Sequence, residues 1–373
     1  MKIALVHDYI KEFGGAERVL MTLHEMFPQA PIYTAFATPG STALKEFEKA
    51  GAKIIPSWAN WLICYKNLYS PLRFLVPLIW ESFDFSGFDV VILSSSGYFA
   101  KQIRTPKNVK VICYCHTPPR FIWGYQTSME WQKKLWPVRV YGYLFGHFLR
   151  LYDFLAAQRV DKFVANSKNI AARIQKNYRR DAVVIYPPIE VEKITKFVNS
   201  HKFSKQKDEF YLWAGRIVGG KGLPMIMEAA NRLGVKLKIV GEQIGFMWEQ
   251  QEMDKQRSTN IEFLGRVSDE KLWELYATCE AFVVAEKDVD FGIVQIEAMA
   301  AGAPVVAHKS GGYIETVLKG KTGTFYEDYN AAGVADAIGR IEKLKIKRED
   351  CQKQAEKFSK KNFVKKISDL INA

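Results

Sequence analysis

The sequence predicts an α/β protein made of two doubly wound, Rossmann-like domains. Short apolar, β-prone segments alternate with helical segments from end to end, which is typical of parallel sheets built from βαβ units. The 373 residues are too many for one ordinary core, whereas two domains of roughly 170 to 190 residues fit the usual range. Pro187 and Pro188 interrupt the alternation near the middle and forbid a continuous helix. We therefore predict one domain over residues 1–188 and a second over 189–356, facing each other across a central cleft.

The predicted strands are short apolar segments bounded by polar or turn residues. In the first domain they are residues 2–7, 90–94, 109–114, 162–165 and 182–185, and in the second 210–214, 236–240, 261–264, 281–285, 304–307 and 324–326. The final segment, 348–373, is basic and has most of its apolar residues on one helical stripe. We expect a C-terminal helix, from about residue 357 to 373, that packs back on the first domain.

Charge and composition narrow the class of partner. The net charge of +13 and the isoelectric point near 9.3 favour an anionic partner. A nucleic acid is the weakest candidate, because the chain has no recognition module or basic-aromatic repeat. The five cysteines include no CxxC pair, and the six histidines form no cluster with acids. We expect reduced thiols and no bound metal of structural importance.

Membrane features are of two kinds. No apolar stretch reaches the roughly 18 residues of a membrane span, and residues 1–6 begin a strand instead of a signal peptide. The expected location is the cytoplasm, with a peripheral position at the inner membrane face as the alternative. Two aromatic and basic stretches, residues 58–80 and 131–159, could lie in a bilayer interface. We favour the other interpretation, in which both are core helices of the first domain.

A turn, a helix bearing a carboxylate and a strand follow one another over residues 290–306. Gly292 lets the backbone turn tightly after the strand 281–285 and approach a ligand. Helical spacing over 293–301 leaves amides in the first turn that suit a phosphate, and Glu297 would accept hydrogen bonds from sugar hydroxyls. The alternative is a packing helix with one exposed acid.

Cations, a histidine and glycines follow other predicted strands. Arg216 and Lys221 lie in the glycine-rich loop that opens the second domain, where both could bind one diphosphate. Solvated surface charge is the alternative. His116 lies in a loop stiffened by two prolines, and Gly14-Gly15 precedes a helical segment where a diphosphate or sugar could approach the backbone. Each of these two signals alone is more often structural.

These motifs occur in a fixed order along nearly the whole chain. They are Gly14-Gly15-Ala16-Glu17, Tyr114-Cys115-His116-Thr117-Pro118, Val164-Ala165-Asn166-Ser167, Tyr186-Pro187-Pro188, Gly215-Arg216 with Lys221-Gly222, Val240-Gly241-Glu242, Phe263-Leu264-Gly265-Arg266-Val267, and Phe291-Gly292-Ile293 to Glu297-Ala298. By their order and spacing the chain resembles the retaining glycosyltransferases of family 4, which have the GT-B fold. The Cys-His-Thr-Pro and Asn-Ser motifs resemble bacterial enzymes that transfer mannose from GDP-mannose during surface polysaccharide assembly.

The resemblance implies a metal-independent hexosyltransferase, without cofactor, that moves mannose from GDP-mannose to a glycan or lipid-linked glycan. The first domain would be the acceptor side, and the second would bind the nucleotide sugar. By the same resemblance, Arg216 and Lys221 would hold the donor diphosphate, and Glu297 would hold the ribose. Gly265, Arg266 and Val267 would border the base. Gly14 and Gly15 would face the phosphate and the transferred sugar, and His116 would face the sugar hydroxyls. Phe291, Gly292 and Ile293 would complete the donor site.

One position departs from the family pattern. The family has two glutamates separated by seven residues, and counting back from Glu297 the first falls on Val289. A one-residue bulge would bring Asp288 to the donor sugar, since loops absorb insertions readily. We favour Asp288 as a catalytic residue with His116, Arg216 and Lys221, although valine at this position could equally weaken donor binding or change the sugar. Two alternatives are a GT-B sugar-nucleotide epimerase or phosphorylase, and a non-catalytic nucleotide-sugar-binding partner.

Overall fold

The computed structural model describes residues 1–65, 68–125, 136–201, 203, 209–243 and 250–372. The chain divides into two compact units, one formed by Met1–Pro188 with Val364–Ala373 and the other by Ile189–Phe363. Each unit contains a parallel sheet whose strands alternate with helices along the chain. The prediction of an α/β protein with two Rossmann-like domains is therefore confirmed.

The first unit contains a seven-stranded sheet in the order β3-β2-β1-β4-β5-β6-β7. Its strands are β1 (Ile3–His7), β2 (Ile32–Thr34), β3 (Ile54–Pro56), β4 (Val90–Ser95), β5 (Lys110–Cys115), β6 (Lys162–Ala165) and β7 (Ala182–Val184). Its helices are α1 (Gly15–Met26), α2 (Thr42–Lys49), α3 (Asn60–Cys64), α4 (Val76–Glu81), α5 (Trp136–Ala157) and α6 (Lys168–Tyr178). Strands β2 and β3 are not predicted from the sequence, because three residues each carry too little pattern to be recognised.

The second unit contains a six-stranded sheet in the order β10-β9-β8-β11-β12-β13. Its strands are β8 (Phe210–Ala214), β9 (Lys236–Val240), β10 (Ile261–Gly265), β11 (Ala281–Val283), β12 (Val305–His308) and β13 (Gly323–Tyr326). The helices are α7 (Val191–His201), α8 (Leu223–Leu233), α9 (Gln250–Lys255), α10 (Asp269–Thr278), α11 (Val294–Ala300), α12 (Tyr313–Thr316), α13 (Ala331–Ile341), α14 (Arg348–Ala355) and α15 (Lys360–Asn372), of which α15 ends in the first unit. Strand β11 and helix α11 are thus shorter than predicted.

Central strands are continuous apolar segments because both of their faces are buried. All five residues of β1 and all five of β8 are buried. Beside the first sheet, Trp80 is fully buried and its Nε1–H donates to the carbonyl of Tyr98 at 2.8 Å. Loss of such a side chain typically costs about 3–5 kcal/mol. Each sheet is therefore a rigid support for the loops at its strand ends.

A buried ion pair anchors α5 in the first unit. Lys101 Nζ lies 2.6 Å from Asp153 Oδ1, with the two side chains 1% and 0% exposed. Asp153 Oδ2 also accepts hydrogen bonds from Tyr178 Oη at 2.7 Å and from Trp123 Nε1 at 2.9 Å. Burial lowers the pKa of Lys101, but the nearby Asp153 carboxylate outweighs this and raises the pKa above its ordinary value. The ammonium group of Lys101 therefore stays charged, and the ion pair holds the single acid of α5 away from solvent.

The chain passes between the units at Pro188 and again at Val364. The predicted return to the first unit began near residue 357 and thus several residues too early. Phe358 explains the difference, since it is 3% exposed and its ring lies 5.7 Å from that of Phe291 in the second unit. The N–H of Lys360 also donates to the carbonyl of Ile189 at 2.9 Å, which keeps this segment with the second unit.

Candidate functional site

The strand order of the second unit reverses between β8 and β11. From β8 the chain moves outward through β9 to β10, and it then returns to β11 on the other side of β8. Open α/β sheets bind ligands at such a switch point, beyond the carboxyl ends of the strands. The loop after β8 carries Arg216 and Lys221, and the loop after β11 leads to Glu297. The structure therefore brings the loops of the predicted diphosphate and ribose residues to adjacent strand ends.

Glycines let the backbones at these strand ends approach closely. The N–H of Gly241 donates to the carbonyl of Gly265 at 2.8 Å, and the N–H of Gly215 donates to that of Val240 at 3.0 Å. A Cβ at Gly241 would lie 1.9 Å from the carbonyl oxygen of Gly215, a separation that no real contact allows. Gly241 thus determines where the backbone beside Arg216 can lie.

The residues predicted to border the base lie at the end of β10. Gly265 is the last residue of that strand and has a φ of +65°, a left-handed value that favours glycine. Arg266 is exposed and Val267 is half-buried. Strand β9 separates β10 from β8, so these three residues lie along the same sheet edge but away from the switch point.

Lys221 contacts a carboxylate from the neighbouring loop. Its ammonium group forms an ion pair and a hydrogen bond with Glu286 Oε2, and the two side chains are 30% and 18% exposed. The loops approach because Gly222 has no side chain, since a Cβ there would lie 2.7 Å from the Ala285 carbonyl oxygen. Arg216, in contrast, is exposed to solvent. The second unit thus presents two cations near the switch point, and Glu286 partly neutralises Lys221.

Glu286 was not among the predicted site residues. The available signal was its place directly after the apolar segment 281–285, at the carboxyl end of a predicted strand. What the sequence did not show is that this carboxylate meets Lys221, which lies 65 residues earlier in the chain.

Asp288 and Val289 differ in orientation. Asp288 has a φ of +56°, in the left-handed region that aspartate tolerates better than most residues, and its N–H donates to Ser310 Oγ at 2.9 Å. Val289 is 7% exposed, and its carbonyl accepts a hydrogen bond from the N–H of Gly312 at 2.9 Å. The backbone is therefore irregular where the sequence analysis expected a bulge, and the half-buried Asp288 side chain remains a candidate carboxylate.

Glu297 is buried on α11 at 7% exposure, so the alternative of an exposed acid on a packing helix is wrong. The preceding turn is held by Gln295, whose Nε2 donates to the carbonyls of Phe291 and Gly292 at 3.0 and 2.9 Å. Gly292 has a φ of +81°, Phe291 is buried, and Ile293 is the half-buried N-cap of α11. Gln295 was not predicted to have a role, although its side chain orders the predicted donor turn.

The first unit has its own switch point, between β1 and β4. Gly14 and Gly15 follow β1 and lead into α1. The Glu17 carboxylate accepts a hydrogen bond from the N–H of Gly14 at 2.9 Å, so the side chain at the third helical position caps the start of α1. His116 directly follows β5, the neighbour of β4. The predicted glycines and the predicted histidine therefore lie at the same edge of one sheet.

His116 is joined to His7 through Ser94. Ser94 Oγ lies 2.8 Å from His116 Nε2 and 2.9 Å from His7 Nδ1. The main chain of His116 is held as well, because its N–H donates to the Ser95 carbonyl and its carbonyl accepts from Asn166 Nδ2, both at 2.9 Å. Burial, and then the proximity of His7, lowers the pKa of His116 to about 3. Near neutral pH this imidazole is uncharged, so one ring nitrogen donates and the other accepts.

Asp8 orders the loop after β4. Its carboxylate is 1% exposed and accepts hydrogen bonds from the N–H groups of Ser96, Tyr98 and Ala100 at 2.7, 2.9 and 2.7 Å. The Ser96 hydroxyl donates to the same carboxylate at 2.8 Å. Backbone donors on one carboxylate are strong, directional contacts, so Asp8 supports the strand end that carries Ser94.

The two aromatic stretches have one buried and one exposed face. Ile63, Ile79, Trp80 and Leu149 belong to the core. The interpretation as core helices is nevertheless wrong for the opposite face, which we call the aromatic surface. Its exposed residues are Trp58, Trp61, Tyr65, Phe74 and Leu78 together with Trp136, Val140, Tyr143, Leu144, Phe145, Phe148, Leu151 and Leu155 of α5.

The rings of Phe74 and Phe145 lie 6.0 Å apart and connect the two parts of the aromatic surface. Residues 66, 67 and 126–135, which adjoin or belong to the predicted stretches, lie outside the described residues. Within the described part of the chain, no helix has both the length and the hydrophobicity needed to cross a bilayer.

Two curated relatives and one solved structure illustrate the similarity. An uncharacterized glycosyltransferase of Methanocaldococcus jannaschii is 26% identical over 206 residues, 55% of this chain and 56% of that protein. The alpha-1,3/1,6-mannosyltransferase ALG2 of Dictyostelium discoideum is 24% identical over 333 residues, 77% of this chain and 76% of its own. The alignment thus spans little more than half of the first relative and about three quarters of the second. The crystal structure of Anabaena HepE in complex with UDP and glucose matches all of both chains with a TM-score of 0.70 at 17% identity, which shows a common fold.

Family models cover most of the chain between them. The model described as Glycosyltransferase Family 4 matches residues 13–193, and the model described as Glycosyl transferases group 1 matches residues 195–358. Because these matches follow one another along the chain and the fold agrees, the chain belongs to the GT-B glycosyltransferases of the family 4 type.

Proposed function

We propose that this protein is a retaining hexosyltransferase that moves mannose from GDP-mannose to a hydroxyl of a glycan or lipid-linked glycan. The observation that carries the proposal is the pair of cations, Arg216 and Lys221, in the loop that flanks the β8–β11 switch point. A nucleoside diphosphate is the anion that such a site suits, because two cations can share its two phosphates.

The proposed chemistry needs charge stabilisation more than a nucleophile. The bond between the sugar C1 and the diphosphate oxygen breaks, and its electron pair stays with the diphosphate. The acceptor oxygen bonds to C1 from the same face, and the acceptor proton passes to the departing diphosphate. Arg216 and Lys221 oppose the negative charge that grows on the leaving group, which is the kind of preorganised stabilisation that accelerates group transfer. No metal takes part in this proposal.

Mannose is supported by the mannosyltransferase relative ALG2 and by the Cys-His-Thr-Pro and Asn-Ser motifs. The HepE structure contains UDP and glucose, so the same fold also accommodates another base and sugar. A thermal-shift screen of GDP-mannose, GDP-glucose, UDP-glucose and UDP-galactose tests the donor, since a ligand that binds the native state raises its melting temperature. We expect the largest shift with GDP-mannose, and a larger shift with any UDP-sugar would overturn the donor assignment.

Turnover separates the enzyme from the non-catalytic alternative. Radiolabelled GDP-mannose incubated with a mixture of glycan acceptors is expected to yield a labelled glycan and free GDP in equal amounts. Binding without either product would favour a nucleotide-sugar-binding partner. Absorbance of a bound pyridoxal phosphate would favour a phosphorylase.

We also propose that the aromatic surface rests on an anionic lipid bilayer. It combines large aromatic side chains with the exposed cations Arg139 and Arg150, and the only acid of α5, Asp153, is buried against Lys101. Aromatic and aliphatic residues flanked by cations suit the boundary between headgroups and acyl chains. Such a contact would give the enzyme access to a lipid-linked acceptor.

Vesicle sedimentation tests this contact. Binding is expected to be stronger with vesicles that contain phosphatidylglycerol than with phosphatidylcholine alone, and to weaken as salt screens the cations. Exchange of both Tyr143 and Phe148 for serine should lower the partition coefficient by roughly tenfold or more, given the apolar area removed. Ile314→Ser, an exposed apolar residue of the second unit, is the matched control. Equal binding by the double variant and the control would exclude this surface.

A further inference from the structure

A chain of buried polar side chains lies at the edge of the first sheet. It runs from Glu17 through His7 and Ser94 to His116, with exposures of 8%, 2%, 1% and 9%. His7 Nε2 lies 3.5 Å from Glu17 Oε1, and Ser94 Oγ bridges His7 Nδ1 and His116 Nε2 at 2.9 and 2.8 Å. The members come from β1, α1, β4 and the loop after β5, so only the folded sheet assembles them.

The single hydroxyl proton of Ser94 gives the chain a direction. A hydroxyl that bridges two nitrogens donates to one and accepts from the other. In a neutral His7 ring, the acceptor oxygens of the Glu17 carboxylate favour a proton on Nε2 and leave Nδ1 as an acceptor. Ser94 then donates to His7 and accepts from His116 Nε2–H. If Ser94 instead accepted from His7 and donated to His116, neutral His7 would carry its proton on Nδ1 and turn the lone pair of Nε2 towards the Glu17 carboxylate.

We infer that Glu17, His7 and Ser94 act as positioning residues that hold His116 in its Nε2–H tautomer, so that Nδ1 is presented as a hydrogen-bond acceptor. The ligand group that suits this atom is a donor, such as a sugar hydroxyl, and not the acceptor oxygen of a phosphate. The inference rests on the proposed function for the identity of the ligand, but the tautomer is a property of the protein alone.

Two other contacts support the assignment. Glu17 cannot swing away freely, because its second carboxylate oxygen accepts from the N–H of Gly14 at 2.9 Å. The backbone of His116 is held from both sides by Ser95 and Asn166. Burial keeps His116 uncharged near neutral pH, consistent with its lowered pKa, so one ring nitrogen is always without a proton. Whether His116 Nδ1 donates or accepts a hydrogen bond therefore depends on the tautomer and not on the charge of the ring.

The tautomer can be measured without any substrate. Nitrogen chemical shifts of ¹⁵N-histidine-labelled protein at about pH 8 distinguish a protonated from an unprotonated ring nitrogen, and His116→Gln assigns the signal. We expect Nε2–H in the wild-type protein and a larger fraction of Nδ1–H in Ser94→Ala and in Glu17→Gln. A wild-type Nδ1–H tautomer, or a tautomer that neither substitution alters, would overturn the inference.

A double-mutant cycle tests whether the chain acts through His116. Ser94→Ala is expected to weaken binding of GDP-mannose about 3- to 10-fold, the range of one neutral hydrogen bond. The same substitution in a His116→Ala background should change binding by less than about twofold. If Ser94 had only a general structural role, the loss of binding would be the same in both backgrounds. Equal losses in both backgrounds would contradict the inference. Ser200→Ala, an exposed serine of the second unit, is the control for both measurements.

The two experiments distinguish failure of this inference from failure of the proposed function. Failure of every nucleotide sugar to bind would refute the proposed function, while the tautomer measurement would still decide this inference. Melting of each variant shows whether it is folded before either result is interpreted.

Discussion

The two units place different chemistry at the same position of the same topology. At the β1–β4 switch point of the first unit, His7, Ser94 and the neighbouring His116 are buried and joined by hydrogen bonds. At the β8–β11 switch point of the second unit, Arg216 is exposed and Lys221 shares its charge with Glu286. Doubly wound sheets thus provide a place for a ligand, while the side chains at that place decide its chemistry.

The difference follows from the cost of burial. A buried polar group must be hydrogen-bonded, so the first site is rigid and directional, which suits a hydroxyl. An accessible cation keeps its charge and attracts an anion, so the second site suits a diphosphate. Substitutions at either site test whether this contrast holds.

The largest effect is expected from Arg216. Arg216→Ala removes a cation that opposes charge on the departing diphosphate, so turnover with GDP-mannose should fall roughly 10²-fold or more. Arg216→Lys keeps the charge but not the planar fork, and it should lie between the wild type and alanine. Arg232→Ala, another exposed arginine of this unit, should be near wild type. Near-normal transfer by Arg216→Ala would remove the basis for calling the second site ionic.

Gly241 tests how far the second site depends on close backbone packing. In Gly241→Ala, the new Cβ would lie 1.9 Å from the Gly215 carbonyl, so the loop bearing Arg216 must shift. We expect a loss of about 1–3 kcal/mol in the free energy of unfolding, together with weaker donor binding. Urea denaturation and calorimetry measure these two changes. Gly339→Ala, in a helix with open space around it, should not destabilise the protein, and equal loss by both variants would contradict the steric argument.

Glu286 and Asp288, the two carboxylates in the loop after β11, are expected to affect ligand binding in opposite directions. Glu286→Gln removes the partner of Lys221, so binding of GDP alone should strengthen, by up to about fivefold for a partly exposed ion pair worth up to about 1 kcal/mol. Asp288→Asn should instead weaken binding of the whole GDP-mannose, if Asp288 contacts the sugar as the sequence predicts. Titration of each variant with GDP and with GDP-mannose separates the two roles. Unchanged GDP-mannose affinity in Asp288→Asn would exclude Asp288 from the sugar site.

The last prediction concerns the pH dependence of stability. Because folding lowers the pKa of His116 from 6.5 to about 3, the unfolded chain binds a proton there more readily. The stability contributed by neutral His116 is complete above about pH 6.5 and is lost as pH falls towards 3. In His116→Gln the free energy of unfolding should therefore fall less steeply with acid, by up to about 1.4 kcal/mol per pH unit. His201→Gln, an exposed histidine, should retain the wild-type slope.

The fold was predictable to a large extent because its signals are local. The strands 162–165, 210–214 and 236–240 were recognised with the bounds that the structure shows, since each is a short apolar segment between turns. The edge strand β3 and its neighbour β2 were missed because three residues do not establish a period. Helical periodicity also could not say that α5 carries a solvent-exposed aromatic stripe, because an apolar residue may face either a core or water.

The candidate site was predictable only in part. Arg216, Lys221 and His116 were found from their places after predicted strands. The sequence did not reveal Glu286, Gln295 or the chain of Glu17, His7 and Ser94. The residues around a side chain do not show which distant residue it will contact. His7 and Ser94 are 87 residues apart, and Lys221 and Glu286 are 65 apart.

The sequence by itself determined the alternation of strands and helices, the division near Pro188 and the polar residues at strand ends, since these depend on local periodicity and turn chemistry. Only the tertiary structure decided which of those ends became neighbours. Strand β1 lies beside β4 and β4 beside β5, which joins His7 to Ser94 and Ser94 to His116. Strand β8 lies beside β11, which joins Lys221 to Glu286. The reason is physical: strand order is set by the packing of whole apolar faces, and a polar contact at a strand end follows from that order.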